Sequence, residues 1–259
     1  HLCGFSFREY LEWKCRKKFS TLTLEEVIKQ RITGGDAIST TPKLLGHFSE
    51  YIKTGYYPFF DELGSSEDMY KALHAVIEKI IYSDIASYYS LKTTTLPIFL
   101  KILSFVCTSK PSSLNVHRLA KSLGKYDSDV SHYLQIMRES GLLRFLMSNK
   151  KGHAKIRKPE KIFLDNTNLA HTIGHEIGQQ LELGSMRELF AITQLQNASI
   201  PVYYSSVGDI QADKYLFEIG GKSKAAKQIL GKDNAYLVKD DILHGDDRSI
   251  PLYLLGFLY

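Results

Sequence analysis

Cysteine, tryptophan and long apolar runs are scarce in this chain of 259 residues. Its three cysteines, Cys3, Cys15 and Cys107, cannot build an even disulfide framework and suit a reducing compartment, so a cytoplasmic location is expected. The longest apolar stretches, 96–107 (interrupted by Lys101) and 250–259, fall short of the roughly 20 residues that a membrane-spanning helix needs. No cysteine pair has zinc-finger spacing. His175-Glu176 begins like a zinc-protease helix, but Gln179 stands where the second histidine belongs. His171 and His175 lie four apart and lack a third ligand. Gly221-Lys222-Ser223 imitates the end of a phosphate-binding loop, yet Leu216 replaces the required first glycine, so the chain by itself is not expected to bind ATP. The sequence opens without an initiator methionine, and its first residues are not expected to form a signal peptide.

What is present excludes disorder. The residues are 44% hydrophobic and 12% aromatic, and 33 Lys and Arg against 28 Asp and Glu leave a net charge of only +5. The length suits about two domains. Most of the 16 Tyr and 13 Phe, such as Tyr51, Tyr56, Tyr57, Phe59 and Phe60, fall at core spacing and are expected to pack rather than to stack on bases.

Ser6-Phe7-Arg8-Glu9, flanked by Phe5 and Tyr10, reads as a capping box, as does Thr23-Leu24-Glu25-Glu26 between Leu22 and Val27. A helix start this well specified so near the first residue suggests the C-terminal part of something longer. Apolar spacings of three and four predict helices over 6–18, 23–31, 42–54 and 66–90, punctuated by Gly34-Gly35 and by 55–58. We therefore draw a helical segment over 1–92.

Residues 93–165 change character. Helices are expected over 96–107, 113–123 (stopped by Gly124) and 128–140 (ended by Gly141). Strand-like runs follow at 142–147 and 161–164, joined by a basic connection. Three helices and a basic-tipped hairpin make the winged helix-turn-helix pattern. Charge concentrates here: residues 101–160 carry a net +8, leaving −3 for the rest. Lys150, Lys151, Lys155, Arg157 and Lys158 could follow a phosphate backbone. Ser131, His132, Gln135 and Arg138 on the third helix could address base edges, although Asp127 and Asp129 at its start would repel phosphate. DNA is thus the candidate ligand, with a protein-binding regulatory surface as the competing use.

Residues 166–259 read as an α/β domain. A helix is expected over 183–197, strands at 202–205, 214–219 and 235–238, and a short helix at 224–230. Such a core can gather Glu188, Asp209 and Glu218 around one point with Lys222 nearby. Hard cations such as Mg²⁺ take oxygen ligands, and a few carboxylates plus water suffice. A metal-bound water could then attack a phosphodiester while a lysine stabilises charge.

Five stretches carry a family resemblance: Gly4-Phe5-Ser6-Phe7-Arg8-Glu9-Tyr10-Leu11, Lys158-Pro159-Glu160-Lys161-Ile162, Arg187-Glu188-Leu189-Phe190, Phe217-Glu218-Ile219-Gly220-Gly221-Lys222-Ser223-Lys224, and the run from Ile250-Pro251-Leu252 to Tyr259. Together they resemble prokaryotic AAA-type ATPases in which a winged helix and a restriction-endonuclease-like domain of unknown function follow the ATPase module. The resemblance implies an α+β chain holding at most the last helices of that module, without its Walker A motif, so that ATP would bind only in the missing N-terminal part. It implies as partners that ATPase module, DNA, and a further copy of the chain in a homo-oligomer, and no membrane.

The nuclease pattern wants a helix Glu, a strand Asp and then Glu-x-Lys. Glu188, Asp209 and Glu218 fill the first three places, with Asp209 and Glu218 as the metal ligands; Asp213 is a rival for the Asp. The lysine departs, because Gly220 stands two residues after Glu218 and Lys222 stands four after. In a regular strand, i+4 lies about 13 Å from i, against about 6.5–7 Å for i+2. A bulge at the glycine pair could shorten that reach. The expectation is a nucleic-acid-binding and assembly module whose nuclease-like fold is a scaffold without activity of its own. A Mg²⁺-dependent nuclease using Glu188, Asp209, Glu218 and Lys222 is the enzymatic alternative.

Overall fold

The computed structural model describes residues 3–109, 115–149 and 159–259. The architecture is α+β, and the described residues form two compact units. One comprises residues 3–62, 148–149 and 182–259. The other comprises 63–147 and 159–181. These units run across the boundaries drawn at 92 and 165, because the first sixty residues bury their apolar side chains together with the C-terminal segment. Among the described residues no helix is long and apolar enough to cross a membrane.

The first unit opens with helices α1 (Phe7–Cys15), α2 (Leu24–Lys29), α3 (Asp36–Ser39) and α4 (Leu44–Glu50), the last continuing as a π-helical turn over Tyr51–Gly55. Both capping boxes form. Ser6 accepts from the Glu9 amide while Glu9 accepts from the Ser6 amide, and Thr23 and Glu26 do the same. Phe7, Tyr10 and Tyr51 are fully buried; of the other aromatics expected to pack, Tyr56 is buried and Tyr57, Phe59 and Phe60 are half-buried. Phe7 meets Phe48 and Phe257 edge-on, with centroids 5.1 and 5.9 Å apart, and Phe48 meets Phe190 at 4.9 Å.

The second unit contains α5 (Ser66–Lys79), which runs through a π-helical stretch, Ile80–Ile85, into α6 (Ala86–Tyr89). Then come α7 (Leu96–Thr108), α8 (Val116–Leu123) and α9 (Asp127–Glu139), an antiparallel hairpin of β1 (Leu143–Ser148) and β2 (Lys161–Leu164), and α10 (Thr167–Glu176). Val130, Leu134 and Met137 are buried, so α9 turns the expected face inward. A guanidinium–carboxylate pair, Arg144 Nε to Asp165 Oδ1 at 3.1 Å, ties the hairpin to the residue after β2. The sequence reading omits α10, which Asn166 starts by accepting from the Leu169 amide.

The first unit resumes with α11 (Leu183–Asn197), over the expected residues. A mixed sheet follows: β3 (Val202–Tyr204), β4 (Ile210–Ala212), β5 (Tyr215–Gly220), β6 (Ala235–Lys239) and β7 (Ser249–Pro251), hydrogen-bonded in that order. The first three are antiparallel; β5, β6 and β7 are parallel. A 3-10 segment, Leu252–Phe257, closes the chain against α1 and α11. The helix expected at 224–230 is absent. Turns occupy that stretch, pinned by the fully buried Ile229 and by Lys224, whose side chain is drawn back toward β5.

Candidate functional site

Strand β5 carries apolar residues on nearly every position, as a strand buried on both faces must. Glu218 is the exception, and it is 1% exposed. Removing a carboxylate from water is costly unless a counter-charge and hydrogen bonds replace hydration. Lys224 supplies the charge, its Nζ lying 3.1 Å from Glu218 Oε1. The other oxygen, Oε2, is buried with no hydrogen-bond partner among the described residues.

Asp209 stands one residue before β4. The register of β4 on β5 ends with Ile210 opposite Phe217, and the Asp209 amide donates to the carbonyl of the same Phe217 at 2.9 Å. The Asp209 Oδ2 atom accepts from the Ile219 amide at 2.6 Å. The rival Asp213 is exposed in the β4–β5 turn at φ 52°.

Two glycines end β5, and each admits a cation. A Cβ on Gly220 would lie 2.6 Å from Lys224 Cγ, and a Cβ on Gly221 would lie 3.2 Å from Arg187 Nη1. The Lys224 stem therefore crosses Gly220, and the Arg187 guanidinium lies over Gly221. Arg187 Nε donates to Asp240 Oδ2 at 2.8 Å, and the Asp240 amide donates to the Gly220 carbonyl at 2.9 Å. This corrects the lysine assignment. Lys222 is exposed in the turn that leaves β5, and Lys224 reaches Glu218 instead. The strand does not continue past Gly220. The chain turns, with the Lys224 amide donating to the Gly221 carbonyl at 2.9 Å, which brings residue 224 back.

Glu188 is half-buried on α11, next to Arg187 in sequence. The structure thus brings Asp209, Glu218, Lys224, Arg187 and Asp240 to one strand end. Sequence reasoning missed the last three in this role; the Gly-Gly pair followed by a second lysine was the available signal. Among the described residues no three His, Cys, Asp or Glu side chains gather as a metal-binding group. The residues that could hold a hard cation are Asp209, held on the Ile219 amide, and Glu218, whose Oε2 has no partner among the described residues.

The proposed reading helix is α9. His132 and Arg138 are exposed, while Gln135 is half-buried and donates to Glu139 Oε1 at 2.7 Å. The Arg138 guanidinium lies over the Phe145 ring, 5.2 Å from its centroid. Glu139 also accepts from Tyr89 at 2.6 Å, a bond that pushes the Tyr89 phenol up to about 12. At the other end Asp127 pairs with His117 at 3.2 Å. Lys150, Lys151, Lys155, Arg157 and Lys158 lie outside the described residues.

Comparison with known proteins places residues 45–186 in a domain of unknown function, DUF8612. The match covers more than half of the chain. This protein belongs to that family. An uncharacterized protein of Methanocaldococcus jannaschii, MJ1637, is 21% identical over 98% of the chain. The chain spans 58% of that relative's length. No solved structure matches.

Proposed function

We propose that this member of the DUF8612 family is a nucleic-acid-binding and assembly module, the C-terminal portion of an AAA-type ATPase, with a winged helix in its second unit and a restriction-endonuclease-like fold in its first. The observation that carries the binding reading is α9 itself. It buries Val130, Leu134 and Met137 and leaves His132 and Arg138 outward, directly before a hairpin whose connecting segment holds five basic residues in the sequence. The net +8 of residues 101–160 supports a polyanionic ligand. Replacing Lys150, Lys151 and Arg157 together should weaken DNA binding. The plot of log affinity against log salt should also become shallower by roughly 3, one counterion for each phosphate no longer neutralised. An unchanged slope removes the wing from the reading.

A second reading, Mg²⁺-dependent phosphodiester hydrolysis, draws on the first unit. The buried oxygen of Glu218 with no partner among the described residues favours it, with Asp209 held on the amide of the next residue, Ile219. Asp209 and Glu218 would hold the ion, and Lys224, not Lys222, would be the site's lysine. When bound, such an ion polarises a phosphoryl oxygen and makes water acidic enough to attack. The chain's own part is to fix both carboxylates on neighbouring strands and to keep Lys224 within reach. Incubation with plasmid and single-stranded DNA in Mg²⁺, Mn²⁺ or EDTA tests this. Metal-dependent cutting should disappear in Glu218→Ala, and cutting no greater in the native chain than in that variant ends the reading.

A further inference from the structure

The hydrolytic reading leaves a question about charge at the end of β5. Asp209, Glu218 and Asp240 contribute three carboxylates there, and Arg187 and Lys224 contribute two cations, each already paired with an acid. As it stands both of these cations are engaged by carboxylates rather than free to hold a phosphate. We propose that Lys224 is a resident counter-ion of Glu218 that a divalent cation displaces, and that Gly220 and Gly221 let the released ammonium and the Arg187 guanidinium then hold a phosphate group. The inference rests on the hydrolytic reading for its substrate class but makes its own claim about order: cation first, phosphate second.

Three observations carry it. Glu218 is 1% exposed and one of its oxygens has no partner among the described residues, so the lysine satisfies only part of what a buried carboxylate requires. A divalent cation bound at that oxygen and at Asp209 would satisfy the rest. Second, Lys224 is not locked in. Its side chain is 36% exposed against 2% for Glu218, so the ammonium can swing toward solvent or ligand on its flexible stem while the carboxylate stays fixed. Third, the Arg187 fork is half used. Nε is held by Asp240, which orients the plane, while Nη1 lies across Gly221, where a side chain would crowd it. Among the described residues Nε alone is hydrogen-bonded, and a guanidinium held through one nitrogen keeps donors for bidentate binding of phosphate. Lys222, exposed in the turn, takes part in neither step.

The order of binding gives a prediction whose sign a purely structural ion pair would not produce. The full chain, stripped of metal, is titrated with Mn²⁺ alone, and free ion is followed by electron paramagnetic resonance. Glu218→Gln and Asp209→Asn should lose the site. Lys224→Met should bind Mn²⁺ about tenfold more tightly than the native chain, the scale on which one neighbouring like charge shifts ionic equilibria. Lys224→Arg should stay close to native, and Lys222→Met should change nothing. If Lys224→Met unfolds without metal, its melting temperature is measured with and without Mn²⁺; a larger rise than in the native chain supports the displacement, and no rise overturns it. Equal or weaker Mn²⁺ binding in folded Lys224→Met also overturns it, as does absence of binding in both. For the second step, DNA affinity is compared in Ca²⁺ and in EDTA. Arg187→Ala should keep native Mn²⁺ affinity yet lose most of the Ca²⁺-dependent gain, and retention of that gain refutes the phosphate role. Failure of the native chain to cut DNA, with these binding results intact, would end the hydrolytic reading and leave the cation–lysine exchange standing.

Discussion

Buried charge is the most informative thing about individual residues in this chain. Glu218 has a partner on one oxygen only, so the two members of its ion pair should respond unequally to removal. Lys224→Ala strands a carboxylate in the sheet and should destabilise by about 2 kcal/mol, while Glu218→Gln, which leaves an exposed ammonium free to rehydrate, should cost less than half of that. Urea melts of both variants and of the double variant test the asymmetry; equal losses would mean the pair is effectively solvated. Cys107 offers a second measurement. Burial pushes its thiol up to about 11, and its Sγ donates to the Ala170 carbonyl at 3.6 Å. The folded chain thus holds this proton longer than the unfolded chain, whose thiol ionises near its ordinary value. The resulting stability is complete below the unfolded pKa and is lost as pH rises toward 11. Iodoacetamide at pH 8 should leave Cys107 unmodified in the folded chain and alkylate it in denaturant. At this scale the sequence was readable in part. Lys222 was named from the family pattern although counting along an extended strand put it too far from Glu218, and counting cannot see a turn that folds Lys224 back.

Local signals with a physical mechanism survive best among the elements. The boxes at Ser6 and Thr23 satisfy helix-end amides from residues three apart, so no distant part of the chain is needed to form them. Ser6 is fully buried and Thr23 exposed. Ser6→Ala should therefore cost about 2 kcal/mol and Thr23→Ala about 0.5–1 kcal/mol, measured by thermal melts. The helices from α7 to α9 and the strands β1, β2, β5 and β6 were likewise legible from periodicity. The failures share one cause. Strand β4 is three residues long and exists because β3 and β5 pair with it, α10 is rich in weak helix formers, and the lysine-rich stretch after β5 is held in turns by Ile229 and Glu218. Each of these depends on pairing or packing with another segment rather than on a pattern of its own.

The two units differ in how the chain builds them, and this decides what can be cut away. Among the described residues one runs over 63–147 and 159–181, in the middle of the chain, whereas the other is assembled mainly from both ends. Its core shows the dependence. Phe7 packs on Phe257, Phe48 on Phe190, the Leu22 amide donates to the Phe257 carbonyl at 2.8 Å, and Gln194 donates to the Tyr51 hydroxyl at 3.1 Å. Burial raises the phenols of Tyr10, Tyr51, Tyr253 and Tyr259 well above their ordinary value, with Glu50 adding to it at Tyr10 and neighbouring tyrosines at Tyr51 and Tyr259. These groups are protonated in the folded state where the unfolded chain would ionise them, so the unit loses stability as pH climbs past 10. A fragment of residues 182–259 lacks the aromatic half of this core. It should show no cooperative melt alone, and should gain one when residues 1–62 are supplied in trans. A fragment of 63–181 should melt cooperatively by itself. In the full chain, absorbance at 295 nm should show these four tyrosines ionising only together with loss of far-ultraviolet circular dichroism. Independent folding of 182–259, or phenol titration ahead of unfolding, would show that the N-terminal helices cover the C-terminal unit without completing its core.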